Sequence, residues 1–127
     1  MTKAAPPVVM LVDDEPRILS ALRRVLRREG FELLLVETAR DALTELEGRP
    51  IDVVVSDHKM PGISGVELLE RIAERWPSTA RILLSGWSNE IAAEELEGAR
   101  LHAVLTKPWD EDGLKRTIHS ALAASSG

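Results

Sequence analysis

The sequence predicts an α/β fold: an open, five-stranded parallel sheet flanked by five helices. Three observations lead to it. Short apolar runs alternate with amphipathic helical stretches five times along 127 residues. Four of the five runs carry no polar alternation, the pattern of strands buried on both faces of a parallel sheet. Strand–helix repetition of this kind calls for right-handed crossovers, which place helices on both sides.

The elements follow in order. The first strand is Val8–Val12, and Pro16 suits the first turn of the helix after it. That helix repeats Ile18, Leu22, Val25 and Leu26 on one face. Leu33–Val36 is the second strand, and Thr38 caps a second helix with a stripe of Ala39, Ala42, Leu43 and Leu46. Val53–Val55 is the third strand. Ser64 and Glu67 then read as a capping box with an Ile63–Leu68 staple, opening a helix that buries Val66, Leu69, Ile72, Ala73 and Trp76. After the fourth strand, Ile82–Leu84, comes a weaker fourth helix with Ile91, Ala92 and Leu96. Ala103–Leu105 is the fifth strand. Asp110 caps the last helix, whose stripe is Leu114, Ile118 and Leu122, with Trp109 and Leu114 at staple positions. Gly30, Gly48 and Gly98 fall where helices are expected to end. Residues 1–7 read as a flexible lead, 8–124 as the domain and 125–127 as a tail.

Composition narrows the function. With 44% hydrophobic and 29% charged residues, the chain has the balance of one soluble domain. Lys plus Arg is 16 and Asp plus Glu is 21, giving a net charge of −5. That argues against the general basic surface of a nucleic-acid binder, and direct nucleic-acid binding is not expected. The absence of cysteine excludes disulfides, zinc fingers and thiol catalysis. The longest useful apolar run, Val8–Val12, ends in Asp13-Asp14-Glu15, so neither a membrane span nor a signal peptide is predicted, and the expected location is cytoplasmic.

Ligands of open α/β sheets bind outside the carboxyl ends of the strands. The first strand is followed there by Asp13, Asp14 and Glu15, the third by Ser56 and Asp57, the fourth by Ser85 and Gly86, and the fifth by Thr106, Lys107 and Pro108. Taken singly, each group has a bland reading. Acids suit the start of a helix, and Ser-Gly and Lys-Pro are ordinary turn pairs. Taken together, they place carboxylates, a hydroxyl and a lysine on one rim. Clustered carboxylates suit Mg²⁺, which accepts one or two of them and keeps waters and phosphate oxygens. A carboxylate can serve as the nucleophile of an aspartyl phosphate, and a lysine supplies a point charge for the phosphoryl group. The rim has the chemistry of an acyl phosphate with Mg²⁺.

Four motifs, V-D-D-E at 12–15, S-D-H-K-M-P-G at 56–62, L-L-S-G at 83–86 and L-T-K-P-W at 105–109, resemble in order and spacing those of bacterial two-component response-regulator receiver domains. The resemblance covers about residues 8 to 124. It implies the flavodoxin-like strand order 2-1-3-4-5 and a signalling receiver that promotes its own aspartyl phosphorylation and dephosphorylation. In that likeness Asp57 is the phosphoacceptor. Asp13, Asp14, Asp57 and the backbone carbonyl of Lys59 hold Mg²⁺. Lys107 pairs with Asp57, and later with a phosphoryl oxygen. Ser85 is the switch hydroxyl, and Gly86 offers a backbone N–H beside it. Lys59, with Gly86, is expected to bind the phosphoryl group, and Lys59 and Trp87 flank the route of the hydrolytic water. Val104 stands where many receivers carry an aromatic switch residue, so Trp87 is expected to move with Ser85 in its place. Lys107–Pro108 is expected to be cis.

The partners implied are a histidine kinase or phosphotransfer protein as donor, and an output domain or protein on the face of the fourth helix, fifth strand and fifth helix. The stretch before the fifth strand lacks an Ala-Asp-Asp-Tyr pattern common in dimerising receivers, so a monomer is expected when unphosphorylated. Two other classes fit less well. A haloacid-dehalogenase-type phosphatase needs a second acid two residues after its nucleophile, where this chain has Lys59. A flavodoxin-like electron carrier needs a phosphate loop after the first strand, where Asp13-Asp14-Glu15 would repel it.

Overall fold

The computed structural model describes residues 5–86 and 97–126, excluding the side chains of 125 and 126. Five strands alternate with helices: β1 (Val8–Val12), α1 (Pro16–Leu26), β2 (Glu32–Val36), α2 (Ala39–Gly48), β3 (Val53–Asp57), α3 (Gly65–Arg75), β4 (Ala80–Ser85), β5 (Ala103–Thr106) and α4 (Glu111–Ser126). The strands pair in parallel in the order β2-β1-β3-β4-β5. Here α4 is the fifth helix expected from the sequence. The expected fourth helix, with Ile91, Ala92 and Leu96, lies outside the described residues, although residues 97–99 are helical. The last helix extends to Ser126, into the stretch read as a tail. No helix among the described residues is long and apolar enough to cross a membrane.

Two apolar layers hold the sheet. Alternate residues of β1 point to opposite faces, as the pleat requires. Val8, Met10 and Val12 join Ala42 and Leu46 of α2 and Val66, Leu69 and Ile72 of α3 on one side. Val9 and Leu11 join Leu19, Leu22 and Leu26 of α1 and Leu114 and Ile118 of α4 on the other. The three inner strands are buried almost throughout, and each fully buried Leu or Ile contributes about 1.5–3 kcal/mol.

Local signals set the helix starts. Thr38 Oγ1 accepts the Asp41 N–H at 3.0 Å, Ser64 Oγ accepts that of Glu67 at 3.2 Å, and Asp110 Oδ2 accepts that of Gly113 at 2.7 Å. Pro16 occupies the first turn of α1.

Four expectations need correction. The edge strands β2 and β5 are half exposed rather than buried on both faces, because each has a neighbour on only one side. In α1, Leu19 is buried more deeply than Ile18. Trp76 is not a full core residue. It caps the C-terminus of α3, half buried, with the Arg75 guanidinium 4.3 Å from its ring centroid. The chain leaves the 97–99 turn not at Gly98 but at Arg100, which adopts φ 48°, left-handed without a glycine.

Candidate functional site

The strand order places a topological switch point between β1 and β3, since the chain leaves β1 toward β2 and later runs from β3 toward β5. Val12 is in register with Ser56, so Asp13 and Asp57 follow at neighbouring strand ends. Asp57 is in register with Leu84, one residue before Ser85, and Ser85 with Thr106, one residue before Lys107.

The carboxylates of Asp13, Asp14 and Asp57 each offer an oxygen, and these lie within 4.8 Å of one another. Asp13 is 1% and Asp57 8% exposed; Asp14 is the most open of the three. The Lys107 ammonium donates to both buried acids, at 2.7 Å to Asp57 Oδ1 and 3.0 Å to Asp13 Oδ2. Asp13 Oδ1 also accepts the Glu15 N–H at 2.9 Å, so the same carboxylate shapes the entry to α1 and faces the site. Glu15, at the N-cap, makes no side-chain cap bond.

Burial raises the Asp57 pKa above the ordinary carboxylate value, and the charge of Asp13 adds to it. The bond from Lys107 opposes the rise without cancelling it. Burial alone would lower the Lys107 pKa, but its bonds to Asp57 and Asp13 more than offset this, so its value is raised. The ammonium is therefore held charged between two acids, one of which ionises against the cost of burial.

The other residues singled out by the sequence fall around this centre. Ser85 ends β4 and is 3% exposed. The space beside Gly86 is open: a Cβ there would meet nothing within 4 Å. Lys59 is exposed and, with Asp14 and His58, lines an open depression of about 470 Å³ beside the rim. Val104 lies on β5, 37% exposed and in register with Leu83. Trp87 lies outside the described residues. The Lys107–Pro108 bond is cis.

Gly65 is a positioning residue that the sequence reading missed. Its N–H donates to the His58 carbonyl at 2.7 Å, and a Cβ on it would overlap the Asp57 carbonyl group. The missing side chain lets the first turn of α3 rest against the peptide after Asp57. The signal was present as a glycine just inside a well-capped helix, a costly choice unless a close approach requires it. The bond from Lys107 to Asp13 is a second contact beyond the sequence motifs, which give Asp13 a metal-holding role alone.

A flavodoxin-like parallel sheet with an acidic cluster and a lysine at its switch point defines the class of α/β signalling receivers. The family model for the response regulator receiver domain matches residues 9–119, and the chain belongs to that family. It is 43% identical over 115 residues to the hydrogenase transcriptional regulatory protein HoxA of Bradyrhizobium diazoefficiens, a match covering 90% of this chain and 24% of that protein. It is 32% identical over 116 residues to the transcriptional regulatory protein FixJ of the same organism, covering 90% and 56%. The chain thus spans about a quarter of the HoxA length and little more than half of FixJ.

Among solved structures it is similar to the signal receiver domain of an HD-domain-containing protein from Pseudomonas fluorescens, with TM-score 0.93 and 32% identity over 99% of this chain and 93% of that one. It is also similar to the response regulator TrrA of Thermotoga maritima, solved with Mg²⁺ and BeF, with TM-score 0.83 and 29% identity over 91% and 99% of the two chains.

Proposed function

We propose that this receiver takes a phosphoryl group onto Asp57, in the presence of Mg²⁺, from a histidine kinase or phosphotransfer protein, and that the altered surface then selects an output domain or protein. One observation carries the reading: a lysine ammonium is shared between two buried carboxylates, with a third carboxylate within 4.8 Å. An arrangement built only for stability would not bring a third acid up to two that already share a lysine, since buried ionic groups stabilise weakly.

An oxygen-only, acidic donor set fits a hard divalent cation. Asp13, Asp14 and Asp57, with the backbone carbonyl of Lys59, would hold Mg²⁺, which when bound offsets the clustered negative charge and that of the arriving phosphoryl group. The TrrA relative, solved with Mg²⁺ and BeF, supports this reading. In the transfer, an Asp57 carboxylate oxygen attacks phosphorus. The new O–P bond forms as the donor's N–P bond breaks, and the released imidazole nitrogen takes up a proton. Lys107 stays beside Asp57 and follows the negative charge to a phosphoryl oxygen. Ser85 approaches the phosphoryl group, and Gly86 leaves its peptide N–H open to it. The partner is selected on the face of β5, α4 and the fourth helix expected from the sequence.

Incubation with acetyl phosphate and Mg²⁺ should add one phosphoryl mass to the chain, and the Asp57→Asn variant should gain none. An undiminished adduct on that variant, mapped to another residue, would overturn the assignment.

A further inference from the structure

β5 delivers Lys107, yet it is a poor strand for fixing a position. It has four residues, pairs only with β4 and buries none of its side chains fully. Its inward face, Ala103 and Leu105, is only partly buried, so side-chain burial contributes little to holding its register, and a slip of one residue would turn every side chain to the other face. Polar contacts at its two ends add to the pairing with β4.

At its far end, the Lys107 N–H donates to the Ser85 carbonyl at 3.1 Å. At its entry stands Arg81, the second residue of β4 and only 9% exposed. Its Nε donates to the Ala99 carbonyl at 3.0 Å and its Nη2 to the Arg100 carbonyl at 3.1 Å. Its Nη1 donates to the carbonyls of Thr79 and, at 3.3 Å, of Pro77. The Arg81 carbonyl in turn accepts the His102 N–H at 2.7 Å. The left-handed Arg100 ends the 97–99 turn, where two successive carbonyls meet one planar fork. Among the described residues Arg81 has no carboxylate partner. Burial, and then the charge of Arg100, lowers its pKa. A charge buried there is costly, and directional bonding to carbonyls offsets it.

We propose that Arg81 is a positioning residue for Lys107, clamping the entry of β5 onto β4 so that its far end sets the ammonium between Asp13 and Asp57. The inference rests on the reading of Lys107 as the phosphoryl-site cation.

Arg81→Gln and Arg81→Lys test it in two ways. The first is amide hydrogen exchange in the unphosphorylated chain. Exchange at His102 and Lys107 should quicken about tenfold in Arg81→Gln and less in Arg81→Lys, while Met10 and Val54 stay protected. The second is labelling by acetyl phosphate, which Arg81→Gln should slow on the order of tenfold to a hundredfold. In a Lys107→Ala background the same change should cost little more, because the residue being positioned is gone. Unaltered exchange at Lys107, or a full additive loss in the double variant, would overturn the proposal. An unmodified chain that takes no phosphoryl group overturns the proposed function instead, and the exchange experiment still decides Arg81. Should Arg81→Gln not fold, Arg81→Lys carries both comparisons.

Discussion

Asp57 is under opposing demands. To serve as the proposed nucleophile it has to be ionised, yet it sits where burial and Asp13 disfavour its charge, with Lys107 giving only partial relief. A carboxyl whose folded pKa is raised binds its proton more tightly in the folded state than in the unfolded one. Its contribution to stability is therefore complete below the ordinary value of 3.8 and is lost as pH rises through the folded value. Asp57→Asn removes that burden. The variant is expected to melt at a higher temperature than the unmodified chain at pH 7 without divalent cation, and the gain is expected to shrink as pH falls toward 3.8. A lower melting temperature at pH 7 would show that the Lys107 pairing outweighs the burial. For Lys107 the raised value has the opposite consequence at neutral pH: its stabilising pairings are present there and are lost only as pH rises through its folded value, above the ordinary 10.5.

The element with the most distinctive surface is α1. Its buried side is Leu19, Leu22 and Leu26, while Arg17, Arg23 and Arg24, followed by Arg27 and Arg28, are exposed. None of the five makes an ion pair among the described residues, whereas Arg49 and Arg75 pair with Glu32 and Glu47. In a chain of net charge −5, an unpaired basic ridge beside an acidic rim favours approach by an acidic surface. Phosphoryl transfer from a histidine-phosphorylated donor is expected to slow as salt rises. Exposed charges are screened over about 30 Å at 0.01 M and about 8 Å at 0.15 M. Replacing Arg23 and Arg24 by Glu should reproduce the slowing at low salt. Transfer rates flat across that salt range, or unchanged in the double variant, would remove α1 from the donor interface.

At the scale of the whole molecule, the site is a property of strand order. Asp13 and Lys107 are 94 residues apart in sequence and 3.0 Å apart in the structure. They meet because β1, β3, β4 and β5 lie side by side with their carboxyl ends on one rim. A ligand that joins those ends binds only the folded chain, so it stabilises the entire fold by mass action, about 2.7 kcal/mol at a hundred times its dissociation constant. Saturating Mg²⁺ is expected to raise the melting temperature by several degrees, and Asp14→Asn to remove most of that rise. Asp14 suits this test because it is the most open acid of the cluster and takes no part in the Lys107 bonds. An equal rise in Asp14→Asn would place the cation elsewhere.

The sequence by itself determined what depends on near neighbours. Uninterrupted apolar runs specified the inner strands, 3.6-residue stripes specified α1, α2, α3 and α4, and Thr38, Ser64 and Asp110 marked where three of those helices begin. Four short motifs, each ending a strand, were enough to gather Asp13, Asp14, Asp57, Ser85 and Lys107 onto one rim. Only the tertiary structure decided what depends on which surfaces meet. It exposed half of β2 and β5, because an edge strand has no second neighbour to cover it. It made Gly65 a contact of the Asp57 carbonyl, and it brought Arg81 to the carbonyls of Ala99 and Arg100, neither of which a local pattern encodes. It also gave Lys107 two acids instead of one. A periodic pattern tells a side chain which way to face, but its partner is chosen by the order in which the strands pack.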